Sequence, residues 1–179
     1  MIVLNKRFLD ILVVLLFLCA TGTSVAADNY RLGPGDLVKV HVYGEDDLTI
    51  ESLIGDSGRI SYPFLGELQL SGKTVAELEA FITSKLKGAY LVDPEVTVSV
   101  LQYRQFFVNG HVEKPGGFAF QPGMTVRKAI SLAGGFEERA SKDKIYIVRG
   151  NDPTSTPKLI ELDSLIGPGD IITVERTFF

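Results

Sequence analysis

Short runs of alternating apolar and polar residues, separated by glycine and proline, make up most of this 179-residue chain after its N-terminal apolar segment. Valines alternate with other residues over 38–43 and again over 96–101. This alternation is typical of strands that turn one face toward a core. Further strands are predicted at residues 59–64, 106–112, 144–149, 158–162 and 171–177. The pattern predicts a β-rich fold.

Two short segments have helical spacing instead. The first opens at Thr74, where Thr-x-x-Glu forms a capping box with Glu77. The second opens at Thr125 and stops at Gly134-Gly135, where a left-handed C-cap can form. Each helix is apolar on one side only and must pack on a sheet. The predicted fold class is therefore α+β, with two small β-rich modules that each carry one packed helix.

A repeat links the two helices. Four residues, Gly66, Gly72, Thr74 and Val75, recur 51 positions later as Gly117, Gly123, Thr125 and Val126. Each set lies between predicted strands and a capped helix. The repeat indicates that one supersecondary unit, strands followed by a packed helix, is used twice.

A second repeat lies near the two ends of the chain. Gly33-Pro34-Gly35-Asp36 recurs as Gly167-Pro168-Gly169-Asp170, each followed by a valine-bearing strand. Proline presets φ, the next glycine accepts positive φ, and the aspartate can bond back to turn amides. A phosphate-cradling loop is the alternative, but neither copy has Gly-Lys-Ser/Thr or a following helix. Both copies are predicted to be turns that launch strands.

The first 26 residues have the layout of a secretory signal. Lys6 and Arg7 precede an apolar run, and small residues end at Ala26 and Ala27, the predicted cleavage site. A retained transmembrane anchor is the alternative, but the run is short and Asp10 precedes it. Cys19, the one cysteine, follows a leucine and precedes the cleavage site, so it is interpreted as part of the signal and not as a lipidation site.

Charge and composition restrict the function of the remaining chain. The net charge of −4 becomes −5 when the signal, with its net charge of +1, is removed. A mildly acidic product without a basic cluster argues against nucleic acid as a partner. No metal site or cofactor is predicted, because the only two histidines, His41 and His111, lie far apart.

A catalytic constellation is also missing. Both histidines fall at strand positions, where a structural role is expected. Paired carboxylates at Glu45-Asp46-Asp47 and Glu137-Glu138 would suit sugar chemistry, but both sets lie in loops, where solvated charge explains them. The prediction is therefore that the protein is not an enzyme. Four tyrosines could stack on sugar rings, although aromatic residues in a β-rich protein usually belong to the core or an interface: Tyr43, Tyr62, Tyr90 and Tyr103.

The ordered motifs resemble the outer-membrane polysaccharide export proteins of Gram-negative bacteria. The first part is similar to their polysaccharide export domain, in residues 30–36, 56–60, 63–66, 72–74 and 93–100. The second is similar to their soluble-ligand-binding β-grasp (SLBB) module, in residues 108–112, 114–116, 133–136 and 146–149. After the predicted signal peptide at 1–26, the resemblance implies an export domain at 28–102 and a β-grasp domain at 103–179.

Structural turns are the site residues expected here. Besides the two Gly-Pro-Gly-Asp turns, the expected set is Gly66, Gly72, Lys114, Pro115, Gly116, Gly134 and Gly135.

In function, the resemblance implies a subunit of a homo-oligomeric ring through which exopolysaccharide or capsule leaves the periplasm. An inner-membrane copolymerase is the implied partner. Pore-forming family members carry a lipidated cysteine and a C-terminal membrane helix, which this sequence is expected to lack. The expected location is therefore the periplasm, with attachment to the outer membrane through partners such as a separate β-barrel. The alternative is a periplasmic module that binds a glycan or small ligand without forming a conduit.

Overall fold

The computed structural model describes residues 30–150, 152 and 154–177. The predicted signal peptide, the cleavage residues Ala26 and Ala27, and Cys19 lie outside the described residues. Within the described part, the chain forms ten strands, two α-helices and a short 3₁₀ turn at Asp46–Leu48. None of the helices in these residues is long and apolar enough to cross a membrane.

The first half of the described chain is built on a three-stranded antiparallel sheet and a separate hairpin. Its strands are β1 (Leu37–Val42), β2 (Ile50–Leu53), β3 (Arg59–Tyr62), β4 (Gly66–Gln69) and β5 (Val96–Gln102). Strand β1 lies between β2 and β5, while β3 pairs with β4. In β1, Val38, Val40 and Val42 are buried and the intervening residues are more exposed, so one face of the sheet meets the core.

Helix α1 (Val75–Leu86) covers that core. Its start is fixed by the capping box: Thr74 accepts the Glu77 N–H, and the Glu77 carboxylate accepts the Thr74 N–H. Leu78, Ile82 and Leu86, spaced by four, are fully buried. This spacing puts the three leucine and isoleucine side chains on one helix face, which explains why α1 packs on the sheet.

The second half is built on a five-stranded mixed sheet with its own core. Its elements are β6 (Phe106–Gly110), β7 (Gly116–Phe118), helix α2 (Val126–Leu132), β8 (Ala140–Val148), β9 (Lys158–Leu159) and β10 (Ile171–Arg176). The strand order is β7-β6-β10-β8-β9, with β6 and β10 parallel and the other pairs antiparallel. The long connection that parallel pairing requires includes α2, which buries Val126, Ala129 and Ile130. The predicted α+β fold is confirmed.

Several strand boundaries differ from the prediction. The strand predicted over 59–64 ends at Tyr62, because Pro63 cannot donate to a ladder and Phe64 has a φ of +61°. Strand β8 starts at Ala140, earlier than predicted, and β9 is shorter than predicted. Strands β2, β4 and β7 were not predicted, since each is too short for alternation to be visible.

The two sequence repeats belong to one structural unit that occurs in both halves. The Leu32 N–H donates to the Lys73 carbonyl at 2.9 Å, and the Ile166 N–H donates to the Met124 carbonyl at 3.0 Å. Lys73 and Met124 are 51 positions apart, and each precedes the N-cap threonine of its helix. Each Gly-Pro-Gly-Asp turn is therefore docked at the start of a helix. The turn precedes the helix in the first half and follows it in the second.

Candidate functional site

The two halves meet at a linker of three residues, Tyr103, Arg104 and Gln105, between β5 and β6. Arg104 is nearly buried, with 14% of its side chain exposed. Both Gly-Pro-Gly-Asp turns contact this linker. We call the linker and the two turns, residues 33–36 and 167–170, the junction.

The first turn is organised by the carboxylate of Asp36, which has no exposed surface. Its Oδ2 accepts the Gly33 N–H at 2.8 Å and the Tyr30 hydroxyl. Its Oδ1 accepts the backbone N–H of Arg104 at 2.8 Å, and the Arg104 guanidinium lies 3.3 Å from Oδ2. Asp36 therefore closes its own turn and binds the linker at the same time.

The second turn has the same arrangement around Asp170, which is 2% exposed. Its Oδ2 accepts the Gly167 N–H at 2.7 Å and the Arg149 guanidinium at 2.8 Å. Its Oδ1 accepts the Gly150 N–H at 3.0 Å. In both turns, one oxygen binds the turn amide and an arginine, and the other binds a backbone amide from a distant segment.

Arg104 lies between the two turns. A Cβ on Gly33 would come within 2.5 Å of Arg104 Nη1, and one on Gly169 within 2.8 Å of its Nε. Gly169 also donates its N–H to the Gln105 carbonyl at 3.0 Å. The third position of each turn has positive φ, +92° at Gly35 and +81° at Gly169. Glycine is thus required for close approach as well as for turn geometry.

Three aromatic rings cross the junction beside Arg104. Tyr30 from the first half packs edge-on against Tyr103 of the linker at 5.0 Å between centroids. Tyr103 packs in the same manner against Phe120 of the second half at 5.5 Å. Edge-to-face pairs of this kind add to the free energy of burial. The rings therefore add apolar contacts between the two halves to the polar contacts of Asp36 and Arg104.

Burial, together with the hydrogen bond to Asp36, raises the pKa of Tyr30 well above its ordinary value. The phenol consequently stays protonated and acts as the donor to the Asp36 carboxylate. It also accepts a hydrogen bond from Arg104 at 2.9 Å. The three side chains form one connected network.

Two cavities flank the junction, with volumes of about 350 and about 470 Å³. Their arginines are all neutralised: Arg104 and Arg149 by the turn aspartates, and Arg31 by Glu77 at 3.2 Å. The cavities therefore offer no uncompensated charge to a ligand. The junction thus joins the two modules through buried hydrogen bonds and an ion pair.

The other predicted turn residues fall into three places. Gly72, with a φ of +86°, donates its N–H to the Leu32 carbonyl and lies beside the first junction turn. Gly66 begins β4, away from it. The remaining five form one cluster in the second half, where the C-cap of α2 meets the turn before β7: Lys114, Pro115, Gly116, Gly134 and Gly135.

The histidines lie apart from one another. His41 is exposed on β1, where its Nδ1 is 3.2 Å from the Thr49 hydroxyl. The predicted strand position is wrong for His111, because β6 ends at Gly110, where φ is +83°. The His111 Nδ1 lies 2.9 Å from a carboxylate oxygen of Glu137. Among residues 30–150, 152 and 154–177, no group of three histidine, cysteine or acidic side chains is placed to hold a metal ion.

The four tyrosines that are candidates for sugar stacking have different environments. Tyr62 is buried and donates to the Leu48 carbonyl, and Tyr103 packs in the junction. Tyr43 is 75% exposed. Tyr90 is half exposed and contacts the ring of Phe64, which follows the end of β3.

Sequence reasoning missed the two arginines that bind the turn aspartates. Arg104 and Arg149 lie 68 and 21 positions from their aspartates, so no local pattern connects them. The signal that was available is the repeated Gly-Pro-Gly-Asp itself: a buried carboxylate in each copy needs a cationic or amide partner.

Comparison with known proteins identifies both halves. The family model for polysaccharide biosynthesis/export proteins matches residues 24–101, and that for the SLBB domain matches residues 105–157. The chain is 37% identical to the exopolysaccharide production protein ExoF of Rhizobium meliloti over 137 residues, 69% of this chain and 32% of that protein.

Other relatives carry related names. The polysialic acid transport protein KpsD of Escherichia coli is 29% identical over 74% of this chain and 24% of its own length. The EPS I polysaccharide export outer membrane protein EpsA of Ralstonia solanacearum is 27% identical over 83% of this chain and 48% of its own. The chain thus spans about half or less of each of these relatives.

These families are transport components rather than enzymes. The two matched models meet at the linker, with the Gly-Pro-Gly-Asp turn at 33–36 in the first and Arg104 between them. The chain belongs to the polysaccharide export protein family, in which it combines a polysaccharide export domain with an SLBB domain.

Proposed function

We propose that this chain is a subunit of a conduit that exports exopolysaccharide or capsule, acting as an oligomeric ring with no chemistry of its own. The observation that carries the proposal is the buried, hydrogen-bonded junction between the two family domains. A ring closes only when each subunit presents its contact surfaces at a fixed angle. Arg104, held by Asp36 and packed against Gly169, supplies that fixed angle.

The proposed location is the periplasmic side of the outer membrane. The relatives named as export outer membrane proteins support that location. An inner-membrane copolymerase is the proposed partner that delivers polymer to the ring. The domain limits proposed for the exported chain are 28–102 and 103–179, which divide it where β5 ends and the linker begins.

Deletion of the gene in its own host tests this proposal. We expect surface and secreted polysaccharide to fall strongly and to return when the wild-type gene is supplied. A matched control variant is Lys39→Ala, which removes only an exposed ion pair with Glu51 and should restore secretion fully. Normal amount and length of polymer in the deletion strain would overturn the proposal and favour the non-conduit binding module.

A further inference from the structure

Two aromatic side chains form an exposed pair on the first module. The ring centroids of Phe64 and Tyr90 lie 5.6 Å apart, with a 42° angle between the planes. Phe64 is 68% exposed and Tyr90 is 50% exposed. Residues from two loops, 26 positions apart, therefore place two rings together at the surface. We call Phe64 and Tyr90 the aromatic pair.

Phe64 is held in a strained backbone conformation. It has a φ of +61°, and it is the only residue other than glycine with positive φ in the described chain. The Leu65 N–H donates to the Pro63 carbonyl at 2.7 Å, which makes Phe64 the centre of a three-residue γ-turn. A γ-turn with positive φ at its centre is rare and strained. Strain of this kind persists where the surrounding structure maintains it, commonly at ligand sites.

Tyr90 holds Phe64 in place. Its hydroxyl donates to the Phe64 carbonyl at 3.1 Å, and its own N–H donates to the Leu86 carbonyl at the end of α1. The Gly88 N–H donates to the Leu91 carbonyl at 2.7 Å and closes the same loop. These bonds position Tyr90 beside Phe64 without a ligand, and such preorganisation lowers the entropy cost of binding.

The surroundings of the pair favour a sugar over a protein. Next to Tyr90, Val92 is 91% exposed, and the ion pair of Lys87 and Asp93 is open to solvent. Interface cores are depleted of charged residues, and a stable interface buries about 800 Å² on each partner. The aromatic pair and its charged neighbours are too few and too polar to form the core of such an interface. A pyranose ring, with an apolar C–H face and a rim of hydroxyls, matches an aromatic surface bordered by charged groups.

We propose that the aromatic pair is a stacking site for pyranose rings of the exported polysaccharide. This inference rests on the proposed function, because it takes the polymer as the ligand. The ring of Phe64 contacts the C–H face of a sugar, and Tyr90 supports it from the side. Contacts of this kind are weak singly and suit a polymer that must move past the protein.

The test uses the protein purified from the periplasm, with short oligosaccharides cut from the polysaccharide that the parent strain secretes. Saturation-transfer NMR, with irradiation of aromatic protons, should show transfer to sugar C–H protons. Phe64→Gly should weaken binding at least about fivefold, the effect of losing one ring contact. Phe64→Gly should also unfold at the same or a higher urea concentration, because glycine accepts positive φ.

Two matched variants complete the design. Phe64→Trp keeps an aromatic face and should retain the transfer. Leu159→Ala, at an exposed apolar position of the second module, should leave it unchanged. Absence of transfer with wild-type protein, or equal binding by Phe64→Gly, overturns the inference. The inference is also overturned if Phe64→Gly binds the oligosaccharides normally but forms smaller oligomers, since the pair would then contact a neighbouring copy. If gene deletion stops secretion while no transfer is seen, this inference alone fails and the proposed function stands.

Discussion

The two Gly-Pro-Gly-Asp turns have the same internal chemistry but join different parts of the molecule. In each, a buried aspartate binds the turn amide, an arginine and a distant backbone amide. Asp170 binds Arg149 and Gly150, which belong to its own half. Asp36 instead binds Arg104 in the linker through both backbone and side chain. Both turns contact the linker, but the carboxylate of Asp170 stabilises its own half, whereas that of Asp36 binds the first half to the linker.

The environment of the two arginines differs accordingly. The side chain of Arg149 is 42% exposed and can reach water if its carboxylate is lost. That of Arg104 is 14% exposed and lies between the turns. Asp36 also accepts the Tyr30 hydroxyl, for which Asp170 has no counterpart among the bonds described. The comparison teaches that one turn motif can serve two purposes, depending on where its arginine comes from.

Removal of the two carboxylates should have the largest effect and should separate the turns. We expect Asp36→Ala to lower the free energy of unfolding by about 3–5 kcal/mol, because it leaves a buried guanidinium unpaired. Asp170→Ala should cost about 2 kcal/mol, since Arg149 can turn to solvent and mainly two amides lose partners. Urea denaturation followed by circular dichroism measures both. Equal losses would contradict the distinction between the two turns.

A β-branched side chain at the third turn position should have the next largest effect. Gly35→Val combines a φ of +92° with a Cβ placed 3.1 Å from the Cβ of Arg104. We expect a loss of about 2 kcal/mol, from left-handed strain together with crowding. Thermal unfolding of Gly35→Val should be compared with that of Gly44→Val, where φ is +78° but nothing lies within 4 Å of the added Cβ. The difference between the two losses measures the steric crowding against Arg104. A fully stable Gly35→Val variant would exclude the turn geometry described.

Tyr30→Phe tests the bond that only the first turn has. Loss of hydrogen bonds to a carboxylate and a guanidinium should cost about 1.5 kcal/mol at neutral pH.

The same variant should also change the alkaline behaviour. The pKa of Tyr30 is raised above its ordinary value of 10.0 by burial, so its contribution is complete below pH 10 and is lost as the pH rises further. Burial also raises the pKa of Tyr62, to about 12, so part of the loss remains in the variant. Urea midpoints above pH 10 should therefore fall less steeply for Tyr30→Phe than for wild type. Identical slopes would mean that Tyr30 is not a buried donor.

Alanine at the first turn position should have the smallest effect and should again distinguish the turns. In Gly33→Ala the new Cβ meets the Arg104 guanidinium at 2.5 Å, whereas in Gly167→Ala it lies 3.6 Å from Asp170, an ordinary contact. We expect a loss of about 1 kcal/mol for Gly33→Ala and less than about 0.5 kcal/mol for Gly167→Ala. Differential scanning calorimetry resolves the two. A larger loss for Gly167→Ala would reverse the roles assigned to the turns.

Local chemistry explains what the sequence predicted well. The α1 capping box and the bond from each turn aspartate back to its own amide span three residues, so they are visible in the sequence. The α+β class followed from alternation and helical spacing. Short strands such as β7, with three residues, carry too little pattern to detect.

Features that depend on contacts between residues far apart in the sequence could not be predicted from it. The Asp36–Arg104 contact joins residues 68 positions apart, which only the folded chain brings together. Phe64 looked like a strand residue because its neighbours alternate, and its positive φ depends on support from Tyr90. The permuted order of turn and helix in the two modules was hidden as well, although both repeats were visible. Only the hydrogen bonds donated by the Leu32 and Ile166 N–H groups show that the two repeats belong to one structural unit.

Measuring the assembly state is the most direct test of the proposal that this chain is a conduit subunit. Multi-angle light scattering should be carried out on the purified protein at high concentration, alone and with the proposed inner-membrane copolymerase. A rigid junction that sets one angle between the modules predicts a discrete, closed oligomer in at least one of these conditions, and its dissociation in Asp36→Ala under conditions where the modules stay folded. Monomers throughout, for wild-type protein with and without the copolymerase, would contradict the ring.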